Sequence, residues 1–112
     1  MTRRDDNISI QQMLVHAEEA IGLVVGLTQQ ELEQNRLLSL ALLRLLEILG
    51  EAATRVSPEF RDTTSNIPWS QIVALRNRLI HGYDAVDMTV IWKVLTADLP
   101  ELVADLKELN NR

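Results

Sequence analysis

Leu37-Leu38-Ser39-Leu40-Ala41-Leu42-Leu43-Arg44-Leu45-Leu46-Glu47-Ile48-Leu49 is apolar at nearly every position from 37 to 49. Runs of this length rich in leucine, with charges only at Arg44 and Glu47, belong to a helix rather than a strand. They are also too short, and too interrupted, to span a bilayer. A helix that is apolar on nearly all sides has no wide face for water. In a small domain, one side then lines the core and another meets a second molecule. The expected fold is therefore all-α, an up-and-down bundle of four main helices plus a short one, assembled as a homodimer.

The surrounding chain supplies the other helices. Thr28-Gln29-Gln30-Glu31 reads as a capping box, so the long helix is expected over about Gln29–Val56. Before it, Ile10, Leu14, Ala17, Ile21 and Val24 recur at three- and four-residue spacing. They predict a first helix over about Ile8–Leu27, with Asp5, Asp6 and Asn7 as its capping groups. After it, Ser57-Pro58 starts a short helix and 62–66 is the polar loop. A third helix begins at Pro68-Trp69 and reaches His81. A last one begins near Met88 behind the Asp87 cap, and Pro100 is expected to kink or restart it, with Asp98 as a new cap.

At 112 residues the chain is one domain, and 46% apolar content is ample for its core. There is no cysteine, which excludes disulfides, thiolate metal sites and a thiol nucleophile. The net charge of −5 argues against broad coating of nucleic acid, though not against one concentrated phosphate site. Nine of the eleven basic residues are arginine, the side chain suited to fixed, bidentate contacts with phosphate. With no signal peptide or membrane-length segment, the expectation is a soluble, cytoplasmic protein with no membrane contact.

The chemistry concentrates in Arg76-Asn77-Arg78-Leu79-Ile80-His81-Gly82-Tyr83. Arginine can neutralise a phosphate, histidine can exchange a proton near neutral pH, and tyrosine adds a hydroxyl. No clusters at metal-ligand spacing and no glycine-rich phosphate loops accompany them. These are the parts of a site that cleaves phosphodiesters without a metal, and no cofactor is expected. On a continuous helix Arg76 and His81 would lie roughly 140° apart. Gly82 is therefore expected to be a left-handed C′ residue that ends the helix at His81 and lets the side chains converge. The competing reading is structural: His81 favoured by the dipole at a helix end and Arg76 solvated. His16, on the polar side of the first helix, reads as a surface histidine, and Trp69 as a core or interface anchor.

The motif Arg76-x-x-x-x-His81-x-Tyr83 resembles that of HepT-like toxins, small helical ribonucleases of the HEPN superfamily. Ile48-Leu49-Gly50-Glu51-Ala52-Ala53, Ile67-Pro68-Trp69, Ile91-Trp92 and Asp98-Leu99-Pro100 match the family in order and spacing. The resemblance covers most of the chain and is weakest over the first thirty residues. It implies an endoribonuclease toxin acting on an RNA substrate, with Arg76 and His81 catalytic in a site shared across a homodimer. Glu51, Asn77 and Tyr83 would support them. It also implies a partner, the MNT-type nucleotidyltransferase antitoxin of the same toxin–antitoxin pair, which would transfer AMP to Tyr83. The alternative function is a non-catalytic helical module that docks such a nucleotidyltransferase and binds its nucleotide or phosphate ligand.

Overall fold

Four helical columns form the protein in a computed structural model that describes residues 3–110, the side chains of Arg3, Arg4 and Tyr83 excepted. The first column is α1, Arg3–Val24. Gly26, at φ 79°, turns the chain out of it, in the left-handed conformation that glycine adopts without strain. The long helix expected over 29–56 is two helices, α2 (Gln29–Gln34) and α3 (Arg36–Thr54). The break falls at Asn35, whose backbone is extended and whose side-chain oxygen accepts from Leu38 N–H at 3.0 Å. Asparagine offers the backbone this alternative to the helical ladder. Ser39 Oγ donates to the Leu32 carbonyl at 2.9 Å, occupying an acceptor beside the break. The capping box at Thr28 and Glu31 is present, with both of its hydrogen bonds.

A short α4 (Pro58–Asp62) leads to α5 (Trp69–Gly82), and a 3-10 turn over Tyr83–Ala85 leads to α6 (Met88–Lys93). Asp87 caps α6 as expected, accepting from Thr89 N–H at 2.8 Å. From there the chain stays helical through a π turn over Val94–Asp98 into α7 (Leu99–Asn110). Pro100 neither restarts the helix nor acquires a cap at Asp98. Proline has no N–H to give the carbonyl four residues back, and its ring crowds that carbonyl. The chain widens ahead of it, so that Leu99 N–H reaches Val94 O, five residues back. Asp98 instead pairs with Lys93 at 3.6 Å.

The columns pack α7 on α1, α1 on α3 and α3 on α5. Ile10, Met13, Leu42, Leu46, Leu95 and Leu106 are fully enclosed at the centre, each contributing about 1.5–3 kcal/mol by leaving water. On α3 the side turned inward carries Leu42, Leu43, Leu46 and Leu49, whereas Leu37 is 82% exposed. Among the described residues, no helix is long and apolar enough to cross a membrane.

Asp6 is not a helix cap. It lies inside α1, is buried, and accepts from Ser57 N–H at 2.8 Å and from Ser57 Oγ at 2.7 Å. Ser57 in turn caps α4, so one carboxylate ties the start of α1 to the end of the α3 connection. Asp6→Ala leaves the Ser57 N–H buried and unpaired. It should lower the unfolding free energy by about 1–3 kcal/mol in a urea titration, and an unchanged midpoint would contradict this role.

Candidate active site

The site is built where α5 crosses α3. Arg76 sits against Gly50: a Cβ added at Gly50 would fall on Arg76 Cβ, 2.8 Å from its Cγ and 3.4 Å from its Cα. Any side chain at position 50 would push the two helices apart, and glycine lets them touch. The stem of Arg76 is thereby pressed onto α3. Arg76 Nη1 donates to Asn77 Oδ1 at 2.8 Å, while Nε is buried with no partner among the described residues. Asn77 is exposed, and its side-chain oxygen is the partner of the guanidinium head.

His81 is exposed. The expectation that the helix stops there and that Gly82 turns left-handed is not met: α5 runs through Gly82, and Gly26 is the one positive-φ glycine among the described residues. The 3-10 turn over Tyr83–Ala85 provides the exit without a reversal of φ. Arg76 and His81 therefore share one regular helix, roughly 140° apart around its axis and about 7.5 Å along it. Within one chain they do not face the same volume. The backbone of Tyr83 follows directly on α5; its side chain lies outside the described residues.

Glu51, next to Gly50, makes no hydrogen bond to Arg76 or His81. Its carboxylate lies 3.8 Å from Arg44 Nη1, and Arg44 also binds Glu47 at 2.8 Å. Arg44, Glu47 and Glu51 of the polar stripe on α3 thus pair among themselves, an exposed arginine with two half-buried carboxylates. His16 stays out of the site, its Nδ1–H donating to the Gln12 carbonyl at 2.6 Å. Trp69 is a buried anchor whose indole N–H is shared by Thr64 O at 3.2 Å and Thr64 Oγ1 at 3.1 Å.

Arg61 stands on this same seam, and no motif singled it out. Its Nη2 donates to the Ala53 carbonyl at 2.7 Å and its guanidinium lies 5.7 Å from the Trp69 ring centroid. It clamps the end of α3 to the start of α5. With Gly50 against Arg76 and Ala53 near Trp69, the two helices run antiparallel. Among the described residues, no three His, Asp or Glu side chains are grouped to hold a metal ion.

The architecture is that of an all-α, HEPN-like bundle with arginine and histidine carried on one helix, α5. The chain belongs to the ribonuclease HepT-like family, whose model matches residues 13–109. It is 32% identical over 107 residues to a Methanocaldococcus jannaschii protein described as "Putative RNase MJ1380", covering 96% of this chain and 98% of the relative. A Caldanaerobacter subterraneus protein described as "Putative RNase TTE0752" is 34% identical over 100 residues, 89% of each chain. "Probable ribonuclease HepT" of Thermococcus cleftensis is 38% identical over 69 residues, 62% of this chain and 63% of the relative. No solved structure matches the chain.

The glycines separate packing from propensity. Gly50→Ala should cost about 1–3 kcal/mol by overpacking the α3–α5 contact. Gly22→Ala, on α1 with nothing within 4 Å of the new Cβ, should gain about 0.5–1 kcal/mol. Thermal unfolding of both variants checks the pair, and equal shifts would contradict the close approach at Arg76.

Proposed function

We propose that the protein is a metal-independent endoribonuclease that acts through Arg76 and His81, in a site completed by a second copy of the chain. The observation that carries this reading is the seating of Arg76 on Gly50, with Asn77 holding its head, beside an exposed His81 on the same helix. Membership of a ribonuclease family supports it. A regular helix keeps Arg76 and His81 from converging within one chain, which favours a cleft shared across a two-fold axis. The half-buried and exposed leucines of α3, Leu37 and Leu45 among them, offer apolar surface for such an axis.

The chemistry needs two proton transfers. A base takes the proton of the ribose 2′-hydroxyl, whose oxygen attacks the adjacent phosphorus. An acid protonates the departing 5′-oxygen, leaving a 2′,3′-cyclic phosphate. Two His81 side chains meeting at the axis supply both roles. Arg76 neutralises charge that builds on the phosphorane-like transition state, acting from a preorganised position. The need for a 2′-hydroxyl restricts the substrate to RNA.

In this reading the protein is the toxin of a toxin–antitoxin pair, acting in the cytoplasm and neutralised by an MNT-type nucleotidyltransferase. The Tyr83 hydroxyl oxygen would attack the α-phosphorus of ATP and release pyrophosphate, leaving AMP on the tyrosine. The phosphate so attached would compete with RNA for Arg76.

Purified protein should cut labelled RNA in the presence of a chelator and leave cyclic phosphate ends. His81→Ala and Arg76→Ala should each slow cutting by at least about 10²-fold. Cleavage abolished by chelator, or variants as fast as the parent, would reject the mechanism. After co-expression with a neighbouring nucleotidyltransferase gene, mass spectrometry should find AMP on the parent chain and none on Tyr83→Phe. An inhibited but unmodified complex would reject the AMP switch.

A further inference from the structure

The bundle is closed on three sides and open on the fourth. The principal packing of α5 is with α3, and that of α7 is with α1 and the π turn. Between α5 and the α6–α7 column a groove of about 520 Å³ remains. Its floor is apolar, made by Leu46, Leu49, Leu99 and Leu102 of the buried core, with half-buried Ile72 and Leu75 on one wall. Val90, 40% exposed, stands at the α6 end.

One rim of this groove is acidic. Asp98 at the end of the π turn and Glu101 and Asp105 on α7 line it, spaced three and four residues apart so that they form one row. Asp98 has Lys93 at 3.6 Å, with both side chains more than half exposed. Glu101 and Asp105 have no basic partner among the described residues. Among the described residues, Arg78 is the single cation on the groove's walls. Neither Arg76 nor His81 lines the groove, so an occupant here need not touch the proposed site of RNA cleavage.

The charges choose between occupants. Nucleic acid would bring phosphates against three carboxylates. A second copy of the chain is proposed above to pair through the α3 leucines, Leu37 and Leu45 among them, neither of which lines the groove. A small polar ligand would find no buried polar group on the floor. What fits is an apolar stripe flanked by cations. We infer that the α5–α7 groove is the docking site for an amphipathic helix of a partner protein, with leucine-like side chains on the floor and lysine or arginine against Asp98, Glu101 and Asp105. This is the helix-in-groove mode of recognition, with main-chain hydrogen bonds satisfied inside the incoming helix. Three packed sides set the spacing of the columns, and the incoming helix completes the fourth.

The test uses a labelled synthetic helix with leucine on one face and lysine on the other, titrated into the full chain and followed by fluorescence anisotropy. Saturable one-to-one binding is expected, and the same helix with glutamate for lysine should not bind. The triple reversal Asp98→Lys/Glu101→Lys/Asp105→Lys should weaken binding by at least about tenfold, as should Val90→Glu at the apolar end. A control reversal of exposed carboxylates elsewhere, Glu19→Lys/Glu33→Lys/Asp62→Lys, should leave it nearly unchanged. Equal weakening by both triple reversals would mean diffuse attraction and overturn the site. So would dissociation of a homodimer by Val90→Glu, which would give the groove to a second copy, or displacement of the peptide by RNA.

Discussion

The contact between Gly50 and Arg76 sets how closely α3 and α5 pack. Two helices can approach to backbone distance only where one of them has no side chain, and the alternative at position 50 is a clash with Arg76 Cβ. That approach does two things at once. It closes the α3–α5 seam, which Arg61 clamps again through Ala53 and Trp69. It also holds the stem of Arg76, the arginine proposed above to meet a phosphate. Preorganisation of this kind is where electrostatic catalysis gains most, because nothing has to reorganise as charge develops. In the proposed mechanism, stability and function thus draw on a single contact.

Much of the fold was legible because its signals are periodic. The apolar run at 37–49, the capping box at Thr28, the Ser57-Pro58 start and the Asp87 cap each rest on a local rule, and each appears where its rule puts it. The departures have local causes of a different kind. Asn35 breaks the long helix through a side chain that could equally have faced water and instead caps α3 at Leu38 N–H, with Leu32 buried just ahead of the break. Pro100 is absorbed by a π turn because a continuous apolar stripe on both sides rewards keeping the column whole. At Gly82 the rule for glycine at helix ends was outweighed by a 3-10 exit that needs no positive φ.

The residue types proposed for the site are visible in the sequence; the contacts around them are not. Arg76, Asn77 and His81 are visible in one short stretch, but their distance around the helix axis matters more than their distance in sequence. Glu51 looked placed to orient them and instead binds Arg44. Arg61 and Asp6 carry tertiary ties that no pattern marks, since each reaches a backbone group far along the chain or across a connection. Such ties become readable only when the path of the chain is known.

A regular α5 keeps Arg76 and His81 apart, so the central claim is that a working site needs the histidines of two chains. Parent and His81→Ala chains, unfolded and refolded together at varied ratios, test it directly. If both His81 side chains are required, only parent–parent dimers cut RNA, and the rate falls as the square of the parent fraction, to about a quarter in an equal mixture. A rate that falls in simple proportion, to about half, would mean that each chain cuts RNA with its own histidine, and would contradict the shared site.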